Sequence, residues 1–298
     1  MLDPKAAQVL QLLNTLHTSD GSPAAARAQF AAGAAALAAL MKLPPVPYED
    51  VVVPHSLGQT TCRLYRPAGA RSTPLIYFHG GGFVLGSVEV YHPFTTYLAG
   101  ELGMPVWSVE YPLAPESRFR DTAHLSYAVV RAIQERHGDV AVAGDSAGGT
   151  LAAAMTQMAR DRGETGILAT VLYCPAPDMG ASGGSLDTFG RDYFPRLDTL
   201  AWFLSCYLER PEDADNPLAS PARHPNLRDL PPTLVITAEY DPLRDSGEAY
   251  ASALEAAGND VVLRRYDSMV HDFVAFPLEQ SWHALGQTRS FLDQRLRS

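Results

Sequence analysis

Three cysteines in 298 residues are too few for a disulfide scaffold. Cys62, Cys174 and Cys206 are odd in number, far apart and without metal-ligand spacing, so each is expected as a buried reduced thiol, which suits a reducing cytoplasm. Positive charge is scarce as well. Lys and Arg number 23 against 33 Asp and Glu, and the formal net charge of −10 with no basic run argues against nucleic acid or an anionic membrane surface as partner. Long apolar runs are missing too: the Ala-rich stretch from Ala24 to Leu40 is broken by Arg27, Gln29 and Gly33, and reads as an ordinary helix rather than a membrane span. The opening MLDPKAAQVLQLLNTLH has an acidic residue and a proline where an export signal would carry positive charge, and its periodicity is helical.

What the chain does have is apolar content, 46% of residues, enough to bury a substantial core and too much for disorder. Short β-rich runs alternate with helical patterns. The strand candidates are residues 50–56, 60–67, 74–80, 105–111, 139–145, 167–174, 232–240 and 260–267; helices are expected near 91–102, 121–137, 147–161, 245–257 and 279–296. Strands apolar along most of their length and joined by helices imply an α/β fold, a mostly parallel eight-stranded sheet covered on both faces. The first two runs, separated by LGQ, read as an antiparallel hairpin. Residues 1 to 45 and 178 to 228 fall outside this alternation and are candidates for a lid.

Two glycine-rich stretches carry the chemistry. In VAVAGDSAGG an apolar strand runs into Gly144, Asp145, Ser146, Ala147 and Gly148 and then directly into a helix. A serine on so sharp a turn sits in a strained backbone, and strand and helix can close on it only if the flanking residues lack side chains. The same pattern alone also describes an N-capping serine at an ordinary turn. YFHGGGF supplies context: an ester carbonyl attacked by Ser146 becomes an oxyanion, and the backbone N–H groups of Gly81, Gly82 and Ala147 could receive it without a side chain in the way. A phosphate-cradling loop would instead need a Lys-Ser/Thr pair just behind the glycines, and GGGFVLGSV has none. His79, upstream of the serine, is expected to orient that loop; it, Gly80 and Asp145 are read as shaping the site.

Serine needs a base and a carboxylate to orient it. Downstream of Ser146 stand His224, in a Pro-rich exit; His283, inside the last helix; and His271, on a loop directly after a strand, which is the best candidate. Glu239, Asp241 and Asp245 follow the strand TLVITAEY, and Asp241, fixed just before a proline, is the preferred acid. Asp267 and Asp272 flank His271, but such close neighbours in sequence are not expected to reach the imidazole.

The pieces HGGGF (79–83), EYPLAPE (110–116), GDSAGG (144–149), AEYDPLRD (238–245) and MVHDF (269–273) together resemble the hormone-sensitive-lipase-like esterases, bacterial family IV of the α/β-hydrolase superfamily, over nearly the whole chain. The resemblance implies a carboxylic ester hydrolase for short- to medium-chain acyl esters, with Ser146, Asp241 and His271 as triad and Gly81, Gly82 and Ala147 as oxyanion donors. It also implies a helical cap (1–45 and 178–228) over an α/β-hydrolase core (46–177 and 229–298), and no metal or organic cofactor. The family usually has arginine at the place of Pro112, a His-Pro pair at Ser117 and Arg118, and glycine at Asp272. A carboxylate beside His271 would raise its pKa. Aromatic residues of the second cap segment, Phe189, Tyr193, Phe194, Trp202 and Phe203, either line an acyl pocket or pack the cap on the core. An amidase or acyltransferase would use the same triad, a binding protein with a vestigial site would form no acyl-enzyme, and a homodimer is an allowed assembly.

Overall fold

A computed structural model describes residues 1–14, 22–39, 41 and 43–296. The expected N-terminal helix beyond residue 14, and Leu40 at the end of the Ala-rich stretch, lie outside the described residues. Among those described, no helix is long and apolar enough to cross a membrane.

The eight strands expected from the sequence form one sheet: β1 (Tyr48–His55), β2 (Gly58–Tyr65), β3 (Leu75–Phe78), β4 (Val106–Val109), β5 (Val140–Asp145), β6 (Ile167–Tyr173), β7 (Thr233–Tyr240) and β8 (Val261–Val270). Their spatial order is β1-β2-β4-β3-β5-β6-β7-β8. β1 pairs with β2, and β2 with β4, antiparallel; every other pairing is parallel. The β1–β2 turn is tighter than LGQ suggests, because His55 already pairs with Gly58 and Gln59 lies within the ladder.

Side chains alternate across the sheet, so each strand feeds two cores. Ile76, Phe78, Val140 and Val142 point to one side, where α4 (Phe119–His137), α5 (Ala147–Asp161) and α8 (Arg244–Ala256) cover them. Leu75, Tyr77, Ala141 and Ala143 point to the other, beneath α3 (His92–Leu102) and α9 (Glu279–Arg295). Full burial of β3, β4 and β5 explains why their sequences show no polar alternation. Cys62, Cys174 and Cys206 are buried free thiols.

Among the described residues, four further α-helices lie in the two segments outside the alternation. α1 (Pro4–Asn14) and α2 (Pro23–Ala38) come from the N-terminal segment, α6 (Ser185–Phe189) and α7 (Leu197–Tyr207) from the second. Residues Ala6, Val9, Leu10 and Leu13 of α1 join the same apolar core as α3 and α9. α2 is held by Arg27, which donates to the carbonyl oxygens of Val84 and Ala114 at 2.8 Å each and pairs with Glu116 at 2.7 Å.

Candidate active site

The parallel strands β5, β7 and β8 end along one edge of the sheet, and each delivers one polar residue there. β5 ends at Asp145, and Ser146 occupies the turn into α5 with φ 50° and ψ −116°. Such a backbone costs an L-residue about 1–3 kcal/mol and persists only where its surroundings enforce it. Here they do. Ser146 N–H donates to the Tyr173 carbonyl of β6 at 2.8 Å, tying the turn to the sheet. A Cβ on Gly144 would strike the Gly148 carbonyl, and one on Gly148 the Phe78 carbonyl, so both positions flanking the serine must be bare.

Asp241 directly follows β7; it is fully buried and has one carboxylate oxygen accepting the Leu243 N–H at 2.8 Å. Its other oxygen lies 2.8 Å from Nδ1 of His271, the residue that directly follows β8. Nε2 of the same imidazole is 2.9 Å from Ser146 Oγ. Serine, imidazole and carboxylate thus form one hydrogen-bonded line. Burial pulls the His271 pKa down, but Asp241 and Asp272 outweigh it and hold it well above the ordinary imidazole value.

Asp272 departs from the expectation that it would not reach the imidazole. It is 8% exposed, and its Oδ2 lies 3.3 Å from His271 Nε2. Successive residues of an extended strand point to opposite faces, but Asp272 has φ 54° and ψ 23°, a left-handed turn that breaks the alternation. Of the other acids and histidines weighed for these roles, Asp267 is exposed and four are engaged elsewhere. Glu239 accepts the Ser268 N–H at 2.7 Å and Asp245 the Ser185 N–H at 2.8 Å; His224 pairs with Asp161 at 2.8 Å; His283 lies near Gln280 on α9.

Gly81, Gly82 and Ala147 border the same pocket as Ser146 and His271. Gly81 (φ 111°) and Gly82 (φ 61°) adopt conformations that glycine alone takes freely. Behind them His79 is fully buried between the rings of Tyr91 and Tyr111, and its Nδ1–H donates to the Gly80 carbonyl at 2.7 Å. Burial pushes its pKa down to about 4, so it is uncharged at neutral pH. Gly80 leaves room for Asp145, whose carboxylate accepts hydrogen bonds from the hydroxyls of Tyr77 and Tyr91, the latter at 3.0 Å. Asp145 is fully buried, and burial with Asp272 close by raises its pKa well above the carboxylate range. Cys174, Asp241 and His271 place donor atoms within 4.8 Å of one another, but the last two are engaged with each other rather than open to a metal.

The pocket in front of Ser146 has a volume of about 300 Å³ and mostly apolar walls. Of the five aromatic residues weighed as wall or packing, Phe194 and Phe203 line it. Phe203 does both, since its buried ring also belongs to the core. Tyr193 stacks on Tyr240 and Phe189 meets the same ring edge-on, while Trp202 packs against the core. Within the first expected cap segment, sequence reasoning named no wall residues; Phe30, Gly33, Ala34 and Leu37 of α2 face the cavity with Leu12 and Leu13 of α1. The available signal was the pair Phe30 and Leu37, the two large apolar side chains of 23–38, seven residues and so two helical turns apart.

A family model described as the alpha/beta hydrolase fold matches residues 75–275. The chain is 37% identical over 241 residues to the carboxylic ester hydrolase LipN of Mycobacterium tuberculosis, a match that covers 76% of this chain and 64% of that protein, so less than two thirds of the relative's length is spanned. It is 33% identical over 224 residues to an arylesterase of Saccharolobus solfataricus, covering 72% and 73% of the two chains. Among solved structures, a hyperthermophilic esterase from Pyrobaculum calidifontis superposes with a TM-score of 0.91 at 38% identity, over 100% of this chain and 99% of that one.

Proposed function

The chain belongs to the α/β-hydrolase family, on its hormone-sensitive-lipase-like branch; from that premise we propose that it is a carboxylic ester hydrolase in which Ser146 is the nucleophile, His271 the general base and Asp241 the carboxylate that orients it. The observation that supports this most is the unbroken line from Ser146 Oγ through His271 to Asp241, at 2.9 and 2.8 Å.

The ester carbonyl sits against Gly81, Gly82 and Ala147, whose N–H groups receive the oxyanion. Ser146 attacks as its proton passes to Nε2, and Asp241 stabilises the imidazolium through Nδ1–H. The alcohol leaves with that proton. Water then repeats the sequence on the acyl-enzyme, with His271 again as base.

A cap formed by residues 1–45 and 178–228 closes over the acyl site of a core formed by 46–177 and 229–298. The cavity walls support this, since α1, α2, α6 and α7 all contribute to them. About 300 Å³ of mostly apolar space suits short- to medium-chain acyl groups. The buried reduced thiols favour a cytoplasmic setting, and light scattering tests the homodimer as the assembly.

Hydrolysis of a chromogenic ester series of increasing acyl length, by the native chain and Ser146→Ala, tests the reading. Loss of turnover in the variant, with its fold intact, is the expected result. A variant that still turns over would remove Ser146 from its role.

A further inference from the structure

Nε2 of His271 faces two oxygen atoms. Ser146 Oγ lies 2.9 Å from it, and Asp272 Oδ2 lies 3.3 Å from it. The serine hydroxyl has a hydrogen to offer that nitrogen. The carboxyl oxygen is an acceptor beside an acceptor, because the one N–H of a neutral imidazole is committed through Nδ1 to Asp241, 2.8 Å away. Asp272 is 8% exposed, and its other oxygen, Oδ1, is buried and meets no donor among the described residues. A carboxyl buried so poorly partnered costs stability. It lines the pocket together with Ser146 and His271. The remaining polar side chains of that wall are committed: Asp178 accepts from Arg223 at 3.0 Å and from the Gly180 N–H at 2.9 Å, and the Tyr91 hydroxyl donates to Asp145.

Acylation changes what Nε2 meets. Once Ser146 Oγ carries the acyl group it has no hydrogen to donate, and Nε2 and Oδ2 present two lone pairs 3.3 Å apart. One oxygen atom about 2.8 Å from each spans that gap, and it needs a hydrogen for each. Water has two. An alcohol has one.

We propose that Asp272 accepts one hydrogen of the water that attacks the acyl-enzyme, and so selects water over alcohols as the nucleophile. The inference deepens the hydrolysis proposed above and rests on its serine, histidine and aspartate roles. The water oxygen bonds to the acyl carbon as one of its hydrogens passes to Nε2 as a proton; the second hydrogen stays on that oxygen and is donated to Oδ2. The carbonyl electron pair moves onto the oxyanion. On collapse the acyl carbon–Oγ bond breaks, the Nε2 proton goes to Oγ, and the carboxylic acid leaves with the second hydrogen still on its oxygen. Asp272 needs no change of charge, since a carboxyl group accepts hydrogen bonds in either protonation state. An alcohol on the same path gives its one hydrogen to Nε2 and turns an alkyl group or a lone pair towards Oδ2. A site that hydrogen-bonds one nucleophile, and leaves its own buried oxygen bare with another, discriminates between them.

Product partition from a nitrophenyl ester tests this, with methanol and hydroxylamine present together, the uncatalysed reaction subtracted, and the native enzyme compared with Asp272→Gly. The two nucleophiles are alike in size, but the attacking oxygen of methanol carries one hydrogen and the attacking nitrogen of hydroxylamine carries two. The ratios of methyl ester to hydroxamate and of methyl ester to acid should each rise roughly tenfold in the variant, as expected for the loss of one hydrogen bond. Added space or a changed basicity of His271 acts on both nucleophiles and cancels in the first ratio. Glycine takes the φ of 54° freely, and Asp272→Ala removes the same carboxyl should the first variant not fold. An unchanged ratio of methyl ester to hydroxamate, or acid as the variant's only product, overturns the role of Asp272 and leaves the triad in place. Turnover retained in Ser146→Ala overturns the triad reading instead.

Discussion

At the scale of single residues, the proposed role of His271 as base ties the pH range of activity to the surroundings that raise its pKa. A raised pKa means that the imidazole is protonated, and useless as a base, to a higher pH than an isolated histidine would be. The acid limb of kcat/KM should therefore lie above about 6.5, the unperturbed histidine value. A profile that is flat down to pH 5 would exclude His271 as the base. The residues of this line were legible because chemistry restricts them: a serine between glycines, a histidine just past a strand, an aspartate locked before Pro242. Asp272 was not. Its approach to Nε2 depends on a left-handed backbone at one position, and nothing in MVHDF announces a positive φ there.

At the scale of elements, strands were easier to read than helices of the lid. Runs such as VAVAGD and LIYF are apolar on both faces and bounded by turns, so their existence followed from composition alone. α2 is mostly alanine, and alanine faces do not distinguish a buried stripe from an exposed one. What orients it is Arg27, a single side chain whose three partners lie 57 to 89 residues away in sequence. The ion pair with exposed Glu116 contributes little in water, whereas the two carbonyl oxygens of buried Val84 and Ala114 lose their donor if Arg27 is removed. Arg27→Ala should accordingly cost roughly 1–3 kcal/mol in denaturant unfolding. It should also raise KM more than it lowers kcat, because α2 is a pocket wall and not part of the hydrogen-bonded line. An unchanged KM would mean that α2 keeps its place without the arginine.

At the scale of the molecule, the cavity is assembled from segments that lie far apart in the chain. Leu13, Ala34, Leu186, Leu200 and Phe276 all face it. Filling it from α2 should shorten the acyl preference: Ala34→Phe is expected to abolish the advantage of longer esters while leaving acetate hydrolysis within a few-fold of native. An unaltered chain-length profile would place the acyl group elsewhere. That both segments outside the alternation line the cavity in front of Ser146 was only partly legible, since the sequence marks them as breaks in the strand–helix alternation without saying which faces touch.

The origin of those walls has a consequence for how such a chain can change over time. Ser146, Asp241 and His271 follow β5, β7 and β8 at one edge of the sheet, whereas α1, α2, α6 and α7 come from a leading segment and an insertion between β6 and β7. Substitutions in those two segments can therefore accumulate without disturbing the strand ends that carry the proposed triad. Selectivity is free to drift while chemistry stays fixed, and a laboratory search for new ester preferences should concentrate its diversity in residues 23–38 and 185–207.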